Sequence, residues 1–268
     1  MLRPRPLFAA AGIIAMFGGI VVIAGFAALK VVFGYPEIIR ADPSILLERL
    51  YATINIVPYL YYVGVGGAGI CVLLFSVLFE RILRDAGEEV WSSLGKVCGI
   101  ITGILLYAGI IRYSILFPKL AVMRQSGMYD TETIDLIFTA MNTYIGDSLA
   151  EHVQFTFTSL MLLFFGISII RTGVLSKWIA LFGFVIMAVL VVGNLEQFGM
   201  KFAFAFNRTG AKMLAAWLII AGVALLSKGV TGARGEQLLR LSNTSRSSNN
   251  PTRHGRIISG EPLAHFFT

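Results

Sequence analysis

The chain has 268 residues, 56% of them hydrophobic and 14% charged, with a formal net charge of +7 and a mean hydropathy of +0.78. Soluble domains carry about 45–50% apolar and about 25% charged residues, so a soluble globular enzyme or binding domain is a poor fit. The basic surplus flanks apolar runs and forms no basic face or nucleic-acid motif. It points to membrane topology and anionic lipid as partner, and away from nucleic acid.

The elements follow in chain order. Arg3 and Arg5 precede an uninterrupted apolar run over 7–29. That run exceeds the about 7–15 residues of a signal-peptide core, so it reads as a retained first span. Its Gly12, Gly18, Gly19 and Gly25 suit close helix contact. Asp42-Pro43 is a helix start, with an acid at the cap and proline in the first turn. It opens a short amphipathic interfacial helix over 43–52.

A second span covers 54–79, and Pro58 is placed to kink it. Asn55, Tyr59, Tyr62, Gly66 and Gly69 fall at helical steps and so share one face. Gly64, Gly66 and Gly69 match GxGxxG in form only. No strand precedes them, and helix contact explains them better than a nucleotide loop. After a charged loop at 80–96 comes a third span, 97–117, with Arg112 near its far end. An arginine there costs at least about 2.5 kcal/mol at the bilayer centre and less near the interface.

Asp130 caps a segment with Ile134, Ile137, Phe138 and Met141 on one face, an interfacial helix over 131–145. The fourth span, 149–170, follows directly. A tight turn at 171–177 leads to the fifth span, 178–198, and the sixth is 212–227. From 231 to 268 the composition turns to Arg, Ser, Asn and Gly, which predicts a flexible, basic cytoplasmic tail. The fold class expected is therefore an all-α polytopic bundle of six transmembrane helices in the cell membrane. With both termini cytoplasmic, thirteen of the 22 Lys and Arg lie inside and nine outside. The short 171–177 turn, with two positive and no negative residues, favours the same orientation.

In that orientation most membrane-level polar residues fall in one outer layer. Asn55 and Tyr59 belong to span two, and Arg112 to span three. Asp147, Glu151, His152 and Gln154 belong to span four, and Glu196 with Gln197 to span five. Asp147, Glu151, Gln154 and Thr158 are spaced four, three and four, forming one helical stripe. The bland reading is that the acids neutralise Arg112. The functional reading is an outward-facing pocket for a small ligand, ion or proton.

No cofactor or metal site is expected, since neither Glu-x-x-His nor HExxH occurs. Gly146-Asp147-Ser148 is not a nucleophile elbow. Cys71 and Cys98 read as buried small hydrophobes rather than a disulfide framework. Asn207-Arg-Thr209 and Asn243-Thr-Ser245 match the glycosylation sequon.

One stretch carries a resemblance. Phe138-Thr-Ala-Met-Asn-Thr-Tyr-Ile-Gly, then Glu151-His152, then Arg171-Thr-Gly-Val-Leu-Ser-Lys-Trp178 through Gly183 resembles a family of uncharacterised prokaryotic integral membrane proteins. That family is known only as a domain of unknown function. Thr172 stands where the family has Ser, and Ser176 where it has Pro. The resemblance covers 138–183 and implies a six-helix membrane fold with no assigned activity. Three classes of function stay open: a structural or accessory subunit beside other membrane-protein subunits, a small transporter or ligand sensor, and a membrane-embedded enzyme.

Overall fold

The computed structural model describes the backbone of residues 5–248 and the side chains of residues 6–229. The chain divides into two units, Met1–Val230 and Thr231–Thr268. The first holds six helices long and apolar enough to cross a membrane. No strand occurs among the described residues. The long helices are α1 (Arg5–Val32), α3 (Val57–Asp85), α4 (Val90–Ser114), α6 (Thr131–Thr172), α7 (Lys177–Gly193) and α8 (Ala203–Ser248). Two short helices, α2 (Pro43–Ala52) and α5 (Leu116–Gln125), complete the set. In the second unit the backbone stays helical to Ser248. The rest of the expected tail, 249–268, lies outside the described residues.

Each long helix exposes large apolar side chains outward, among them Ile13, Phe17, Leu74, Val185 and Ile220, as a hydrocarbon solvent permits. Inside, two apolar clusters stack along the helices. One joins Phe8, Phe75, Phe79, Phe165, Ile169 and Trp217. The buried Trp217 donates its indole N–H to the Ile179 carbonyl at 2.9 Å, which removes the cost of a stranded donor. The other cluster joins Leu29, Phe33, Leu50, Tyr61, Tyr113 and Phe117.

Glycines set the closest crossings. A Cβ on Gly103 would lie 2.5 Å from the Gly69 carbonyl oxygen, and one on Gly69 would lie 2.7 Å from that of Gly103. Gly12 meets Gly222 of α8 in the same way, at 2.8 Å and 2.7 Å. The glycine run of α3 is thus a contact surface.

Several elements differ from the sequence reading. Pro58 occupies the first turn of α3, where its missing N–H and fixed φ suit a helix start, so it begins the helix and does not kink it. Leu60–Gly66 then runs as π-helix, whose i→i+5 bonds widen the turn and end the single face predicted through Gly66 and Gly69. Helix α3 continues past 79 to Asp85 because Glu80 is paired where it is buried. Its carboxylate meets Arg84 one turn on and Lys96 of α4 at 3.4 Å. Glu88, also buried, pairs with Arg171 at 2.6 Å and accepts from the Trp91 N–H at 3.3 Å. Two of the acids in the stretch expected as a charged loop, Glu80 and Glu88, are thus buried and paired.

The predicted interfacial helix at 131–145 and the fourth span are one continuous helix. Asp130 caps it, accepting from Thr133 N–H at 2.9 Å. Residues Asn142–Val153 run as π-helix and join the two halves without a break. The last helix begins at Ala203, nine residues ahead of the hydropathy boundary at 212. Asn207 and Arg208, which that boundary leaves in a loop, are helical.

Candidate functional site

The site sits where the two π-helical stretches face each other across the bundle, and it is assembled by a loop. Gly34 takes φ +84°, a left-handed conformation open to glycine, and turns the chain out of α1. The 3₁₀ turn Glu37–Arg40 then brings Arg40 over the helix ends. Its guanidinium donates to Asp147 Oδ1 at 3.0 Å, to Glu151 Oε2 at 2.6 Å and to Glu196 Oε1 at 3.2 Å. It also lies 5.1 Å from the ring centre of Phe204. Burial pulls the Arg40 guanidinium down, but the charges of Glu151 and Asp147 outweigh it and hold it above its ordinary range.

Two of the three acidic residues are also held from behind. Glu196 Oε2 accepts from Asn207 Nδ2 at 2.8 Å, and the Asp147 carbonyl accepts from Gln197 Nε2 at 3.0 Å. One cation from a loop thus fastens α6, the 3₁₀ turn after α7 and, through Glu196, α8.

Beneath this clasp lies a cavity of about 130 Å³. Its walls are mainly apolar, with Val22, Phe26, Val65, Ala68, Leu106 and Leu218. Tyr35, Tyr61, Arg112, Tyr113, Glu151, Gln154, Asn207 and Arg208 also line it. Both π-helical stretches contribute, through Tyr61 and Val65 on one side and Ala150 and Glu151 on the other. Such stretches are rare and frequent at functional sites, because the widened turn re-aims side chains.

Five residues of this lining carry a buried polar atom with no hydrogen-bond partner among the described residues. They are the Tyr61 and Tyr113 hydroxyls, Arg112 Nε, Gln154 Oε1 and Asn207 Oδ1. Tyr61 and Tyr113 stack at 4.3 Å between ring centres and are both 2% exposed. Gln154 spends its amide N–H on Thr158 at 2.7 Å and leaves the carbonyl. Each stranded group costs about 1–3 kcal/mol, and five among the residues around one cavity is a concentration native structures avoid without cause.

The residues singled out from sequence separate into three groups. Asp147, Glu151 and Glu196 converge on Arg40, and Glu151 and Gln154 reach the cavity. Arg112 reaches the cavity too, but it is not the acids' ion-pair partner. It donates to the Gly109 carbonyl of its own helix and lies over the rings of Tyr113 and Phe117, at 4.8 Å and 5.8 Å. The absent side chain of Gly146 makes room for it. Arg40 takes the acids because its loop approaches from outside, while Arg112 is packed into the apolar interior, 7% exposed.

Asn55 and Tyr59 do not join the site. Asn55 is exposed in the turn before α3, and Tyr59 is 69% exposed. The helix starts two residues after Asn55, and the π-helical stretch shifts the register behind Tyr59. His152 stands beside the site, its ring edge against Phe198 at 6.0 Å and its carbonyl accepting from Asn194 at 3.4 Å. Ser148 donates to the Thr143 carbonyl at 3.0 Å rather than to His152. Among the described residues no three His, Cys, Asp or Glu side chains are grouped to hold a metal ion.

Sequence reading missed Arg40, Tyr35, Tyr61, Tyr113, Asn207 and Arg208. Asn207 drew notice only as a sequon, yet it is 5% exposed and bonded to Glu196. The one signal pointing to Arg40 was the surplus of acids at the start of span four. Comparison of the chain with family models, curated proteins and solved structures found no match.

Proposed function

We propose that this protein binds a small amphiphilic molecule in the internal cavity, as a ligand sensor or small transporter of the cell membrane. The observation that carries the reading is that five residues lining one cavity each hold a buried polar atom without a partner among the described residues. A ligand with an apolar body and a group that both donates and accepts would satisfy them. Arg112 and the two tyrosines supply donors, and Gln154 and Asn207 supply acceptors. The Arg40 clasp above the cavity then acts as its cover. An accessory subunit of a membrane complex, the first expectation from sequence, needs no such cavity and leaves the five atoms without an account. In the same reading the chain crosses the cell membrane six times with both termini cytoplasmic. The support is the distribution of Lys and Arg, and a reporter at Asp130 should read as external.

The test is direct. The full chain is purified in mild detergent and examined by native mass spectrometry for a bound small molecule. Ala68→Phe, which fills the cavity, should remove that molecule. Tyr61→Phe with Tyr113→Phe should weaken its retention. Were the cavity a site for nothing, deleting two stranded hydroxyls would instead raise stability, by about 1 kcal/mol each. Stabilisation with no change in bound material overturns the proposal.

A further inference from the structure

A second cavity, of about 260 Å³, adjoins the first. Val22, Phe26, Tyr35, Arg208 and Ala211 line both. Phe26 and Tyr35 are stacked face to face, 4.8 Å between ring centres with 4° between planes. They stand as a flat partition where the two cavities meet.

The second cavity opens sideways. Ile23, Ala27 and Lys30 of α1 line it, and all three are exposed. Their spacing of four and three continues the stripe of Ile20, also exposed, so the mouth lies on the outward apolar face of α1. On the other side it is bounded by Arg208, Ala211 and Lys212 of α8. The mouth therefore lies between these two helices.

The mouth is charged. Lys30, Arg208 and Lys212 line it with a single acid, Glu37. Glu37 faces Arg208 at 3.6 Å, while Lys30 and Lys212 have no ion pair or hydrogen bond among the described residues. Two lysines at opposite lips of an apolar opening, near the end of a long apolar helix, sit where headgroups lie. The lining has a net charge of +2, which matches a phosphomonoester, carrying about −1.5 to −2 at neutral pH.

Resting on the reading of the inner cavity as a ligand site, we infer that its ligand is a membrane-borne amphiphile with one acyl chain and a phosphate head. It enters laterally between α1 and α8. The phosphate rests on Lys30, Arg208 and Lys212. The chain passes the Phe26–Tyr35 partition into the apolar part of the first cavity. A single partition between the two cavities suits one chain.

The experiment uses the full chain in nanodiscs of neutral lipid. Saturable binding is measured for three probes: a single-chain lysophosphatidate, the monoacylglycerol of the same chain, and inorganic phosphate. The lysophosphatidate should bind at least tenfold more tightly than the monoacylglycerol, and millimolar phosphate should not displace it. Lys30→Gln with Lys212→Gln should weaken lysophosphatidate about fivefold per lysine and leave the monoacylglycerol unchanged. Both lysines are exposed, so the variant should fold, as an unchanged melting temperature would verify. Saturable binding that Ala68→Phe abolishes, but that is blind to the two lysines and to the phosphate, overturns the lateral site and leaves the inner-cavity reading standing. Absence of saturable binding for every probe, with Ala68→Phe without effect on material bound to the purified chain, overturns both. Displacement by inorganic phosphate alone would reduce the mouth to a free-anion site and overturn the lipid assignment.

Discussion

Arg40→Gln is the most informative single change. It removes the cation that three carboxylates share, at 2.6–3.2 Å, and leaves a polar, uncharged side chain two bonds shorter. Breaking a fully buried pair by removing one partner costs about 3–5 kcal/mol, and breaking an exposed pair costs at most about 1 kcal/mol. The four side chains here are 18–29% exposed, so the loss should fall between, at about 2–3 kcal/mol. For a chain of this size that is roughly 5–10 °C in melting temperature. The loss should be strongly coupled. Arg40→Gln with Glu151→Gln removes one of the stranded charges as well, and should recover at least about 1 kcal/mol relative to the sum of the single changes. Arg112→Gln is the control. Its guanidinium has ring contacts but no carboxylate partner among the described residues, and its removal should cost only about 1 kcal/mol. Thermal unfolding in detergent, followed by tryptophan fluorescence, measures all four. If Arg112→Gln costs more than Arg40→Gln, or if the double variant is additive, Arg40 is not the hub and the reasoning fails.

Two further outcomes follow from particular contacts. Gly103→Ala should destabilise by about 1–3 kcal/mol, because its Cβ would meet the Gly69 carbonyl oxygen and the Leu73 Cβ at 2.9 Å, and backbone cannot give way cheaply. Gly67→Ala, with nothing within 4 Å of its Cβ, should be neutral or gain up to about 1 kcal/mol of helix propensity, and melting curves of the pair check both. Burial, with help from Glu151, raises the Tyr35 phenol above its ordinary value. The folded state therefore holds that proton where the unfolded chain releases it, so stability should fall as pH rises past about 10. Tyr35→Phe should show a smaller loss between pH 8 and pH 11 in the same melting assay, and an equal loss in both would refute the assignment.

Much of this molecule is readable one helix at a time. The six long apolar helices follow from run length, because hydrocarbon thickness sets how many apolar residues a crossing needs. The Asp130 cap is local too, since capping joins residues three apart. Asp147 and Glu151, four residues apart on one helix, both reach Arg40. The glycines of α1 and α3 announced close contact by composition, though not which helix each would meet.

What tertiary structure alone decided is which charges meet and where space remains. Arg40 lies 107, 111 and 156 residues from its three partners, in a loop whose path depends on Gly34 and on the stacking of Tyr35 on Phe26. No periodicity encodes that path, so sequence reading assigned the acids to Arg112, the arginine inside a span. The π-helical stretches were hidden as well. The stretch Leu60–Gly66 includes Tyr61, which lines the cavity, while Tyr59 just before it is exposed. The cavity and its sideways mouth are differences between how helices could pack and how they do. Residue types determine that a helix is apolar and where its polar groups sit. Only the crossing of α1, α3, α4, α6 and α8 brings the residues that carry five unpartnered polar atoms to one cavity and two lysines to the next.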